Sequence, residues 1–171
     1  MNVSFTSNKL TNSAVVDSTT GQLLFELTTP FGLRRHTTLR DVQNNVIGAH
    51  QRGAIHDEVT YQGQTMRVSE WLHRNSVFSS SRTFTAANGR SYKWEKGGMF
   101  NKGWQLSDCQ TGQLVASAHN KKLFSTKKLN IEVVQDGLPI LDAIVLSFLI
   151  CELRSRRQQN AAAASAGAGA S

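Results

Sequence analysis

Motifs that carry chemistry are what this chain of 171 residues has least of. Its two cysteines, Cys109 and Cys151, make no disulfide framework and no paired metal-ligand set. Cys151 reads as a small buried residue and Cys109, beside a turn, as a free thiol. The five histidines, His36, His50, His56, His73 and His119, fall at no ligand spacing such as His-x-x-x-His. No serine stands in Gly-x-Ser-x-Gly, and no glycine-rich loop is built to cradle phosphate. Gly97-Gly98 reads as a connection, and His56-Asp57-Glu58, the densest polar cluster, as a turn leading into a strand. The expectation is a protein without catalytic residues, metal or cofactor.

Addressing signals are missing too. Met1–Leu10 has no apolar signal-peptide core, Asn2 stands where N-myristoylation needs glycine, and no prenylation box closes the chain. Together with the sparse cysteine, this leads to an expected cytoplasmic, reducing location. Acidic residues are outnumbered: 12 Asp and Glu against 19 Lys and Arg give a net charge of +7 and a pI near 9.9. That balance favours anionic partners.

What the chain does have is one long apolar run, Leu138–Leu153. As a helix it would span about 24 Å, short of the roughly 30 Å hydrocarbon core of a bilayer. Asp142 and Glu152 interrupt it as well, so no transmembrane segment is expected. It is too long for an ordinary strand. Asp136-Gly137 supplies a turn, Pro139 suits a first helical position, and Arg154, Arg156 and Arg157 follow where a helix dipole favours cations. Glu152 and Arg156 stand in the favourable i,i+4 order. Ile140, Leu141, Ile144, Val145, Phe148, Leu149 and Leu153 cover one side, and Leu146 and Ile150 much of the other. A helix apolar nearly all round is buried. At roughly 1.5–3 kcal/mol per large side chain removed from water, leaving it exposed is untenable.

Everything before that run reads as short strands. Leu23, Phe25 and Leu27 alternate onto one face, as do Tyr92 and Trp94, Trp104 and Leu106, and Leu129, Ile131 and Val133. Turn signals separate the strands: Thr29-Pro30-Phe31-Gly32, Asn44-Asn45, Gln62-Gly63 and Asn88-Gly89, the last the favoured type I′ pair. Val68–Leu72 continues the strand pattern. The sequence Thr20-Gly-Gln-Leu23 recurs as Thr111-Gly-Gln-Leu114, each before an apolar strand. The count is about twelve strands. So many short antiparallel strands must manage their edges as a sandwich or barrel, and only a closed barrel has room for a buried helix. One domain is expected over residues 1–157, with the central helix at 138–157. Residues 158–171, rich in Ala, Gly and Ser, read as a disordered tail.

Several segments resemble a known group. Thr29-Pro-Phe-Gly32, Val68-Ser-Glu-Trp-Leu72, Ser81-Arg-Thr-Phe-Thr85, Gly89-Arg-Ser-Tyr-Lys-Trp94 and Leu141-Asp-Ala-Ile-Val145 are similar to an uncharacterised fungal family of the tubby-like superfamily. That superfamily also holds the tubby C-terminal domain, the LURP-one-related proteins and the phospholipid scramblases. The resemblance covers about residues 1–157 and rests on strand and turn positions. It implies a twelve-stranded barrel around a central helix, with no known enzymatic activity for this branch. Tubby domains bind phosphoinositide head groups through basic residues.

The short basic clusters Arg34-Arg35, Lys121-Lys122, Lys127-Lys128 and Arg154–Arg157 lie mostly beside turns. Arg34, Arg35, Lys121, Lys122, Lys127 and Lys128 are therefore the candidate ligand-binding residues for an anionic phospholipid head group. The expected protein is a monomeric, non-enzymatic binding module, peripheral at a membrane. The competing expectations are a scramblase-like lipid protein, opposed by the missing acylation cysteines and the short helix, and a purely structural or protein-interaction domain. Nucleic acid is not expected, because no stacking motif interleaves the basic clusters.

Overall fold

Period-two alternation sets the strands, and the computed structural model of the chain shows where each face points. It describes residues 1–32, 35–75, 79–97, 103–119 and 129–168. Among the described residues thirteen strands form: β1 (Asn2–Phe5), β2 (Ser13–Asp17), β3 (Leu23–Thr28), β4 (His36–Arg40), β5 (Val46–Gln51), β6 (Glu58–Tyr61) and β7 (Gln64–Arg67) come first. After a short helix α1 (Val68–Trp71) come β8 (His73–Arg74), β9 (Arg82–Thr85), β10 (Ser91–Lys96), β11 (Trp104–Asp108), β12 (Leu114–His119) and β13 (Asn130–Val133). A 3-10 segment (Gln135–Ile140) leads into helix α2 (Leu141–Ala168).

All the strands join one antiparallel sheet in the order β7-β6-β5-β4-β3-β2-β1-β13-β12-β11-β10-β9-β8. The buried residues alternate as the sequence requires: Val3 and Phe5 on β1, Tyr92 and Trp94 on β10, Trp104 and Leu106 on β11, Ile131 and Val133 on β13. The two edge strands, β7 and β8, do not pair with each other. They are consecutive in the chain with α1 between them, and its Trp71 ring lies 5.2 Å from Tyr61 of β6 and 5.4 Å from Phe84 of β9.

The sheet wraps the first half of α2, whose residues from Ala143 through Glu152 are all buried. Strands far apart in the sheet touch the same few turns of helix. Phe5 and Trp94 both pack on Phe148, at 5.9 and 5.6 Å between ring centroids. On β5, a Cβ at Gly48 would come within 2.8 Å of the Leu146 side chain, so the strand runs close against the helix there. Ser147, a polar gap in the apolar run, accepts a hydrogen bond from the Trp94 indole at 2.8 Å and donates to the Ala143 carbonyl at 2.6 Å. Its burial therefore leaves no hydroxyl unsatisfied. Among the described residues no helix is long and apolar enough to cross a membrane.

Four local expectations change. Val68–Trp71 is a helical turn, not strand, because the Glu70 carboxylate accepts from the Arg67 N–H and closes the first turn. Pro139 sits inside the 3-10 segment, not at the start of an α-helix. Both central residues of the Gln62-Gly63 turn have positive φ, 52° and 74°, as type I′ demands. At Asn88-Gly89 only the glycine does, and the Gly89 N–H to Ala86 carbonyl bond makes a longer loop there. The fourth change is at the tail: α2 continues through Ala168, and its side chains from Gln158 to Ala166 are exposed. Alanine is the best helix former, and the buried half has already met the nucleation cost.

Candidate anion-binding rim

Strand register defines two ends of the sheet. One end carries the hairpin turns Ser18–Gly21, Asp41–Asn45, Gln62-Gly63, Ala87–Gly89 and Cys109–Gly112. Across the other, the pairs Arg67–Glu58, Glu58–Gln51, Gln51–His36, Asn130–His119, Lys96–Trp104, Trp94–Arg82 and Arg82–Arg74 follow from strand to strand. The longer connections hang from this second rim, and α2 leaves the sheet through it. The loops after β3 and β5 are neighbours there: the Arg52 N–H donates to the Arg35 carbonyl at 3.0 Å.

Two carboxylates fix the departing helix. Asp57, just before β6, is nearly buried, and its Oδ2 lies 3.2 Å from Arg157 Nη1, 3.6 Å from Arg154 Nη2 and 3.5 Å from His50 Nε2. Burial alone would raise the Asp57 pKa. The His50 ring and the charges of Arg157 and Arg154 outweigh burial and hold the carboxyl well below its ordinary value. On α2 itself, Glu152 accepts from Arg156 Nε at 2.8 Å and from the Trp104 indole at 3.1 Å. Arg156 also reaches the Asn8 carbonyl, at 3.1 Å. These contacts explain why Glu152 is tolerated inside an apolar run.

The remaining cations have no such partner. Among the described residues, no carboxylate pairs with Lys9, Arg35, Arg52, Arg74, Arg82 or Lys96. The Arg52 guanidinium is lowered from its ordinary pKa by desolvation and by the charges of Arg157 and Arg35. Arg82 is lowered chiefly by burial. These cations open onto three clefts around α2. One of 570 Å³ joins Arg52, Arg82, Arg154 and Arg157 under the Gly53–His56 loop. One of 720 Å³ joins Lys9, Arg35, Arg52 and Arg156 beside Phe31. A narrower one of 150 Å³ joins Arg74, Arg82, Lys96 and Arg154, with Cys151 in its wall. Burial pushes the Cys151 thiol up to about 12, so it supplies no thiolate. Among the described residues no three His, Cys, Asp or Glu gather to hold a metal ion. The arrangement is suited to an anion with several negative oxygens, held by guanidinium forks.

Of the residues expected from sequence, Arg35 lies on this rim and is exposed. Arg34, Lys121, Lys122, Lys127 and Lys128 lie outside the described residues. Arg154–Arg157 was visible as a basic run but not as a site. Arg52, Arg74 and Arg82 are isolated in sequence, and only the register brings them together. Asp57 was visible only as part of a polar turn, since its partners stand 97 and 100 positions further on.

A model of a family of unknown function, DUF6593, matches residues 8–157. The chain belongs to the DUF6593 family. The matched span runs from Asn8 to Arg157, so it takes in strands β2 to β13, the buried half of α2 and its arginines, and leaves out β1 and the exposed continuation from Gln158. No curated protein matches the chain. A crystal structure of a protein from Arabidopsis thaliana is similar at a TM-score of 0.49 and 16% identity, over 87% of this chain and 90% of that one.

Proposed function

We propose that this DUF6593 protein is a non-enzymatic binding module for phosphate-bearing anions, foremost anionic phospholipid head groups, recognised on the rim where α2 leaves the sheet. The observation that carries this reading is the pair of clefts in which Arg35, Arg52 and Arg82, without carboxylate partners among the described residues, line the wall beside the arginines of α2. Unpaired cations grouped at one end repel each other, and an anion relieves that repulsion. Each Lys or Arg near an anionic membrane contributes on the order of 1 kcal/mol, so several acting together give useful affinity where one pair does not.

A tubby-like closed barrel is the fold we propose behind it. The sheet's reach around α2 and the Trp71 contacts across the gap between β6 and β9 support that reading. A monomer acting peripherally at the cytosolic face of a membrane follows from the same picture. The scramblase-like alternative has less support, since the apolar part of α2 is already enclosed by strands and Cys151 is buried.

Co-sedimentation with vesicles tests the reading. Wild-type protein should pellet with phosphatidylcholine vesicles carrying phosphoinositide or phosphatidylserine, and not with phosphatidylcholine alone. Binding should weaken as salt screens the charges. Reversing Arg35 and Arg52 to Glu should abolish it, and reversing Lys121, Lys122, Lys127 and Lys128 should weaken it. No binding at low salt, or binding by both variants equal to that of wild type, removes the proposal.

A further inference from the structure

Two side chains on this rim are exposed in a way that stability does not explain. Phe31 and Ile55 are 110% and 96% exposed, whereas Val42, the next most exposed large hydrophobic among the described residues, is 53% exposed. Phe31 lies on the connection after β3 and Ile55 on the one after β5, the two loops joined by the Arg52–Arg35 hydrogen bond.

The feet of both loops are fixed. Thr29 donates through its N–H to the Asn12 side chain and through its hydroxyl to the Thr11 carbonyl, each at 2.9 Å. In the other loop a Cβ at Gly53 would fall 1.9 Å from the His56 carbonyl oxygen, so only glycine allows the tight turn that carries Ile55 outward. Each apolar tip borders a cation-lined cleft: Phe31 with Lys9, Arg35 and Arg156, Ile55 with Arg52 and Arg154.

We infer that Phe31 and Ile55 insert into the acyl region of an anionic bilayer while the arginines around them engage its head groups. The inference rests on the proposed head-group reading and extends it from an anion site to an oriented membrane-docking face. The charge pattern selects this occupant. A surface that is negative at its boundary and apolar just beneath matches apolar tips ringed by cations, whereas an acidic protein surface or a nucleic acid offers the charge without the apolar depth. Peripheral membrane binding becomes firm when two signals combine, here a basic patch and apolar insertion.

The test pairs Phe31→Ser/Ile55→Ser with wild type in two assays: inositol trisphosphate in calorimetry, and vesicles of phosphatidylcholine with phosphatidylserine. Both positions are solvent-exposed, so melting temperature should not change. The double variant should bind inositol trisphosphate like wild type but bind vesicles roughly tenfold or more weakly. It should also lose the portion of binding that survives high salt. In parallel, Phe31→Trp should show a fluorescence component quenched by brominated acyl chains. Equal vesicle binding by the double variant and wild type, or no quenching of Phe31→Trp, overturns insertion and leaves the anion site standing. If wild type binds neither inositol trisphosphate nor vesicles, both readings fall. If it binds RNA oligonucleotides and not vesicles, the membrane assignment is overturned in favour of nucleic acid.

Discussion

The two ends of the sheet are built from similar residues and reach opposite electrostatic outcomes. At the turn end, charges are consumed locally. Asp108 accepts the Gln110 and Thr111 N–H groups and pairs with Arg90 at 2.9 Å, while Asp17 accepts from Thr19 and Thr20 in the same way. Asp41 closes its own turn through Gln43 and Asn45. At the rim end, two carboxylates hold the helix and the other cations are left over. The lesson is that stability resides in the turns and the buried helix, and binding capacity in what the rim does not neutralise.

The strongest way to break this division is to attack what both ends share. Phe148→Lys places an unpaired charge between Phe5 and Trp94, and the cost should exceed about 4–5 kcal/mol. No cooperative melt should survive in circular dichroism, and a soluble variant that melts cooperatively would refute the buried helix. Next in size is the charge reversal Arg35→Glu/Arg52→Glu. It should lower affinity for anionic vesicles by about 100-fold or more, with stability held within about 0.5 kcal/mol in urea titration. A large loss of stability would mean that these arginines are structural after all.

Asp57 stands between the two roles. Asp57→Asn should cost about 1–3 kcal/mol, as the Arg154 and Arg157 contacts to a carboxylate are lost. Because the folded pKa of Asp57 is depressed, its contribution is complete above the unfolded value of about 4. It should fade as pH falls from there toward the lower folded value. The acid limb of the wild-type stability profile should therefore flatten in Asp57→Asn, which denaturant melts between pH 2 and pH 7 would detect. The same change frees two arginines, so vesicle binding should be kept or strengthened.

Asp108→Ala sharpens the comparison from the turn end. It should cost about 1 kcal/mol in thermal or urea melts and leave vesicle binding unchanged. The smallest effect expected is removal of Gln158–Ser171, under about 0.5 kcal/mol, since every described side chain there from Gln158 to Ala166 is exposed.

The recurring Thr-Gly-Gln-Leu shows how far local sequence reaches. Gly21 and Gly112 both adopt positive φ, at 74° and 71°, and in each copy the glycine N–H returns to the carbonyl of Asp17 or Asp108. That chemistry lies within six residues, so it was legible as a turn. The longer connections behave differently. Val68–Leu72 was expected to continue the strand before it, yet its buried residues Val68, Trp71 and Leu72 stand at i, i+3 and i+4, and Glu70 and the Asp57 carbonyl, which accepts the Val68 N–H, turn it into helix. The length and nearly all-round apolarity of its run likewise announced a buried α2, while the pairing of Ser147 with Trp94 and Glu152 with Trp104 joins residues 53 and 48 positions apart.

The sequence by itself determined the alternating strands, the turns, the burial of Ala143–Glu152 and the excess of positive charge, because each follows from side-chain pattern over a few residues. Only the tertiary structure decided where that charge acts. Register carried from strand to strand places Arg35, Arg52, Arg74 and Arg82 on one rim with the arginines of α2. It also sets Asp57 against Arg154 and Arg157 and raises Phe31 and Ile55 beside them. No local pattern encodes that gathering, since it depends on which ends of thirteen strands meet when the sheet wraps its helix.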